Sequence, residues 1–113
     1  MQQMDLQFAW DDWNLAHIAR HDVGPEEAEY VVRHASPPWP EEKGDDKMLV
    51  WGTTEAGDLL QVIFVLKQPD ELEFETLDIE QWADVRDDDQ IIYVVHAMPL
   101  TDTMKKRFRR RRR

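Results

Sequence analysis

The chain has 113 residues and no cysteine, and it sets 24 Asp and Glu against 14 Lys and Arg. That length suits one domain with one core, and the lack of cysteine excludes disulfides, thiolate metal sites and a cysteine nucleophile. A hydrophobic share of 42% with five tryptophans is too apolar for a disordered chain, in spite of a formal charge of −10.

Eight of the 14 cations, Lys105, Lys106, Arg107 and Arg109 to Arg113, fall in the last nine residues. The rest of the chain is therefore far more acidic than the average. Such a body repels phosphate at long range, whereas the basic end can engage a nucleic acid, an acidic protein or the body itself. No apolar run approaches the roughly 18 residues of a membrane span, and Met1 to Asp5 lacks the basic and apolar regions of a signal peptide. A soluble, cytoplasmic protein with no membrane partner is the expectation.

Phe8-Ala9-Trp10 reads as a short strand. Asp11 or Asp12 then caps a helix over about residues 13 to 21, with Leu15, Ile18 and Ala19 as its buried stripe. Pro25 suits a first helical position, and Glu26 and Glu27 face the positive end of the dipole. A second helix is thus expected from Pro25 to about His34, burying Ala28, Val31 and Val32. The three prolines of Ser36 to Pro40 forbid its continuation, so a loop should reach about Asp46.

Lys47 to Thr53 and Leu59 to Leu66 form a hairpin whose turn places Gly57 where positive φ is needed. The nearly continuous apolar run from Val62 to Leu66 predicts a central strand covered on both faces. Gln68 to Gln90 is an acidic insertion with some apolar docking residues and a short helix around Asp78 to Val85. Its bland reading is a solvated loop. A DNA-mimicking surface and a cover for the basic tail are the alternatives. Ile91 to Ala97 is a further strand that Pro99 ends, and Thr101 or Asp102 caps a last, basic helix. From Thr101 to Phe108 this helix should pack, with the last five arginines mobile. The order predicts an α+β fold, mainly an antiparallel sheet with two N-terminal helices and one C-terminal basic helix.

The stretch from Phe8 to Val32, FAWDDWNLAHIARHDVGPEEAEYVV, resembles the opening of the BrnT family of small bacterial toxins. Lys47 to Gly52, Gly57 to Leu60 and Val94 to Thr101 follow that family's strands in order. The resemblance implies a RelE-like fold, metal-independent RNA cleavage with no cofactor, and an oligomeric complex with a cognate antitoxin that carries a ribbon-helix-helix DNA-binding part. It implies that His21 and Lys47 belong to the site, and that Gly52 is structural. Three positions depart from the family. Met98 and Asp58 stand where Arg is usual, and Met104 where Glu is.

RNA cleavage without metal needs a group to take the 2′-OH proton and cations to hold the phosphate as charge builds on it. His21 suits the first task, since imidazole titrates near neutrality, but it also suits the C-terminal end of the first helix. His96 is two residues before Met98 and shares its strand face, which makes it a substitute base or a phosphate donor, or else a hydrogen-bonded strand histidine. Lys47 is the candidate point charge, with a salt bridge as the competing use. Arg107, Arg109 and Arg110 are the candidate binding residues, for phosphates or for antitoxin carboxylates.

His17 and His21, at i and i+4, have a metal-ligand spacing, but no supporting Cys or His is recognisable, so no metal site is expected. His34 suits the dipole at the end of the second helix. Trp10, Trp13, Trp51 and Trp82 read as core or interface anchors rather than base-stacking platforms. Trp39, among prolines, is the one expected to be exposed. A catalytically degenerate relative that binds protein or nucleic acid through its basic helix is the alternative function.

Overall fold

The computed structural model describes residues 6–111. Its chain order is β1 (Phe8–Ala9), α1 (Asp12–Ala19), α2 (Pro25–Arg33), β2 (Glu41–Glu42), β3 (Lys47–Thr53), β4 (Leu59–Lys67), α3 (Ile79–Asp84), β5 (Ile91–Pro99) and α4 (Asp102–Arg111). The strands form one sheet in the order β1-β5-β4-β3-β2, antiparallel except where β1 joins β5. The fold is α+β, as the order of elements predicts. No helix among the described residues is long and apolar enough to cross a membrane.

Local chemistry accounts for most of the boundaries. Asp11 caps α1 by accepting from the Asn14 amide at 3.0 Å, while the Asn14 side chain accepts from the Asp11 amide at 2.8 Å. Two orphan donors are satisfied at once. Asn14 also donates to the Ala9 carbonyl at 3.0 Å, so this fully buried amide ties the helix start to β1. Asn14→Ala is expected to lower stability by about 1–3 kcal/mol, because it leaves buried groups unpaired. Urea unfolding measures this, with an unchanged midpoint as the contrary result.

Residues of β3, β4 and β5 alternate between two faces. Val50, Val62, Phe64, Val94 and Ala97 form the dry face, where Ile18 of α1 and Ala28, Val31 and Val32 of α2 join the same cluster. At Gly52 a Cβ would come within 3.1 Å of the Val31 side chain. This glycine lets α2 lie close to β3. Gly57 has φ +98°, as the hairpin turn requires.

The opposite face is covered unevenly. Its register rows are Lys47–Val65–Tyr93, Leu49–Ile63–His96 and Trp51–Gln61–Met98. At one end the acidic insertion packs Leu77 against Ala9 and Ile91, with Trp82 and Tyr93 beside them. At the other, Trp51 donates to Gln61 at 2.9 Å and meets Trp39, which touches Phe108 of α4. Between these covers Ile63, His96 and Met98 remain half-buried. The central strand β4 therefore has one dry face and one partly open one, rather than cover on both.

Other expectations are corrected by packing. Of the expected stripe only Ile18 is buried, with Asn14 beside it, while Leu15 and Ala19 are exposed. The cause is that α1 follows β1 along the edge of β5, where only a narrow side of the helix meets the core. Trp39 is 5% exposed, because the loop folds it between Trp51 and Phe108. Within that loop β2 pairs with β3, Glu41 opposite Leu49. The insertion is more than a solvated loop: it carries the expected short helix, α3, and two 3-10 turns, although Phe74 and Ile79 stay 66% and 77% exposed. Arg111 forms a two-pronged pair with Glu41, whose carboxyl it holds below the usual range, so the tail is anchored at least this far. Arg112 and Arg113, expected to be mobile, lie outside the described residues, as do Met1 to Asp5.

Candidate active site

β1 pairs with β5 only at Ile92 and Tyr93, so the rest of that edge of β5 is free for α1 to pack alongside. Trp13, His17 and His21 recur every four residues, a spacing that aligns side chains along one side of a helix. His21 lies in the turn that closes α1. Its amide bonds the Ile18 carbonyl at 3.1 Å, and Asp22 follows with φ +59°.

This row meets the open face of the sheet at His96. The His21 and His96 ring centroids are 5.4 Å apart at 69°, and those of His17 and His96 are 6.2 Å apart at 62°. Trp13 stacks on His17 at 4.7 Å and 10°. Three imidazoles thus converge, two from the α1 side and one from β5. Alternation along β5 was enough to put His96 and Met98 on one face, and they occupy adjacent rows opposite Ile63 and Gln61.

Burial holds the His96 imidazole below its ordinary pKa of 6.5, and the nearby His21 and His17 rings add to the effect. A proton taken up at His96 would be desolvated and repelled by two further imidazoles once they are charged. The unfolded chain would bind that proton near pH 6.5 and the folded one resists it. His96 thus contributes stability that is present above pH 6.5 and lost as pH falls through its folded pKa. In an NMR titration of the imidazole protons, the midpoint of His96 is expected below 6.5, and His21→Ala should move it upward. A midpoint at or above 6.5 in the native chain would contradict this.

The cations are distributed differently from the sequence expectation. Lys47 shares the face of His96 but sits on β3, separated from β5 by β4 and thus by about 10 Å of sheet. It is exposed and lines a cavity of about 520 Å³ with Glu42, Asp45, Asp46 and Glu71. A cation that shares a cavity with His21 is Lys105 of α4. With His21 it lines a cavity of about 280 Å³ that also holds Asp22, Glu27 and Asp58.

Arg107, Arg109 and Arg110 are exposed on the outer turns of α4, and Arg107 contributes to lowering the Glu41 pKa near β2. They do not join the histidine cluster. His34 makes a 2.8 Å hydrogen bond to the Tyr30 carbonyl and stacks on the Tyr30 ring. It too is remote from the cluster. Among the described residues no group of three or more His, Asp or Glu is arranged to hold a metal ion.

His17, weighed from the sequence only as a metal ligand, and Lys105, not singled out among the basic residues, are the additions that the structure makes. The four-residue repeat of Trp13, His17 and His21 was a visible signal for the first. Nothing local marks Lys105 among eight cations. Neither the family models, nor the curated proteins, nor the solved structures contain a match to this chain.

Proposed function

We propose that this chain is a BrnT-like toxin with a RelE-like fold, a metal-independent endoribonuclease that acts in the cytoplasm and is neutralised by an antitoxin with a ribbon-helix-helix part. The single observation that carries the reading is the approach of His21 and His96 to 5.4 Å on an accessible face. Two imidazoles at that spacing can serve the two proton transfers of RNA cleavage.

In this reading His96, favoured in its neutral form, takes the proton of the ribose 2′-OH. The 2′ oxygen forms a bond to phosphorus as the bond from phosphorus to the 5′ oxygen breaks. His21, in its protonated form, delivers a proton to that departing oxygen, and a 2′,3′-cyclic phosphate remains. Lys105, beside His21, offsets the charge that builds on the phosphoryl oxygens. The exposed Arg109 and Arg110 supply pairing groups for antitoxin carboxylates.

A specific observation favours a second reading, a degenerate binding module. Beside His96 the strand carries Met98, which neither moves a proton nor holds a phosphate, and Asp22, Glu27 and Asp58 surround Lys105. Induction in a bacterial host, followed by growth and RNA integrity, separates the two. Growth arrest with RNA degradation supports the toxin. Folded protein that does neither leaves the module.

A further inference from the structure

We propose that Trp13 is a nucleobase-stacking subsite for single-stranded RNA, placed beside the histidine pair; the inference rests on the reading of that pair as an RNA-cleaving site. Trp13 is 54% exposed, and its ring has two aromatic neighbours. It stacks on His17 at 4.7 Å and lies 6.5 Å from the Tyr93 ring at 19°. Tyr93 is itself fixed by donating its hydroxyl to both Asp11 carboxylate oxygens at 3.0 and 2.9 Å. An exposed aromatic ring already ordered by its neighbours loses little freedom when a flat ligand binds.

The ring also leads into the chemistry. One helical step of four residues, about 6 Å along the axis, separates Trp13 from His17. The edge of His17 meets His96, which meets His21. A base seated at Trp13 would therefore leave its ribose and phosphate over the imidazoles.

Charge sets the direction. A cavity of about 460 Å³ beside Trp13 has Trp10 and Leu15 in its wall and Asp12, Glu73 and Glu75 on its lining. Those carboxylates reject a phosphate but accept hydrogen bonds from a base amine. The phosphate is drawn the other way, toward Lys105. Single-stranded rather than duplex RNA is required, because only an unstacked base offers its face.

The test uses the full chain and a short single-stranded oligonucleotide of 2′-deoxynucleotides, which lacks the attacking hydroxyl. Trp13→Ala is expected to weaken its binding about 10-fold, within the range found when a base-stacking aromatic is removed. Trp13→Phe should keep most of the affinity, and circular dichroism should show both variants folded. On cleavable RNA, Trp13→Ala should raise KM more than it lowers kcat. Failure of the oligonucleotide to bind the native chain, or an unchanged Kd for Trp13→Ala, would overturn the subsite. Binding that depends on Trp13 without RNA cleavage would uphold the subsite while removing the catalytic reading. Cleavage with Kd and KM unaltered in Trp13→Ala would do the reverse.

Discussion

Replacing His21 and His96 together with alanine is expected to reduce RNA cleavage to the background rate and to abolish growth arrest. Each imidazole supplies one proton transfer, and loss of a positioned acid or base typically costs about 10²–10⁴ in rate. Because the two act on one transition state, the double variant should lose less than the product of the single effects. Single-turnover cleavage of a defined RNA measures all three. The pH profile assigns the roles. The base must be unprotonated, and since His96 is held below 6.5, the acid limb of kcat/KM should lie below 6.5 as well. Activity in the double variant equal to the native chain would end the assignment, and a full loss from Lys47→Ala would shift the site to β3.

The largest effect on stability is expected at Trp39. Its ring is nearly buried, with centroids 6.1 Å from Trp51 and 5.2 Å from Phe108, and the Arg111 guanidinium stands 5.3 Å from the ring. Trp39→Ala removes the wedge between the sheet and α4, at a cost of about 3–5 kcal/mol. Urea unfolding should show this as a lower midpoint with the same slope. The indole Nε1 is buried with no hydrogen-bond partner among the described residues, so Trp39→Phe keeps the packing and loses an unpaired donor. It should cost far less. A loss below about 1 kcal/mol for Trp39→Ala would show that the wedge is not needed, since surface changes are of about that size or smaller.

Much of the secondary structure is legible because its causes are local. An aspartate caps α1, Pro25 opens α2, and Gly57 marks the hairpin. The elements that were missed depend on distant partners. Glu41 and Glu42 have no strand-like composition, and they extend because β3 offers an unpaired edge. Trp39 sits among prolines that predict a loop correctly but say nothing about where the loop folds. In the acidic insertion the apolar residues and the short helix were legible, but not that Leu77 and Trp82 would find Ala9, Ile91 and Tyr93.

Half of the candidate site was legible, in part through the family resemblance. His21 stood out by that resemblance and as a group that titrates near neutrality, and alternation along β5 puts His96 and Met98 on one face. Their meeting depends on β1 pairing in parallel with β5, which carries α1 along that edge. The same pairing brings in His17. Lys47 stood out only through the resemblance, and the width of β4 keeps it from the histidines.

The amino-acid sequence by itself determined the α+β class, the capped helices, the hairpin and the division of charge between body and tail. These follow from periodicity, propensity and composition, which act over a few residues or over the whole chain at once. Only the tertiary structure decided which three imidazoles meet, that Lys105 rather than Lys47 shares a cavity with His21, and that Trp39 is inside while Trp13 is outside. Such pairings join residues many positions apart. They are selected by the packing of α1 and α4 against one sheet, and no local pattern encodes that outcome.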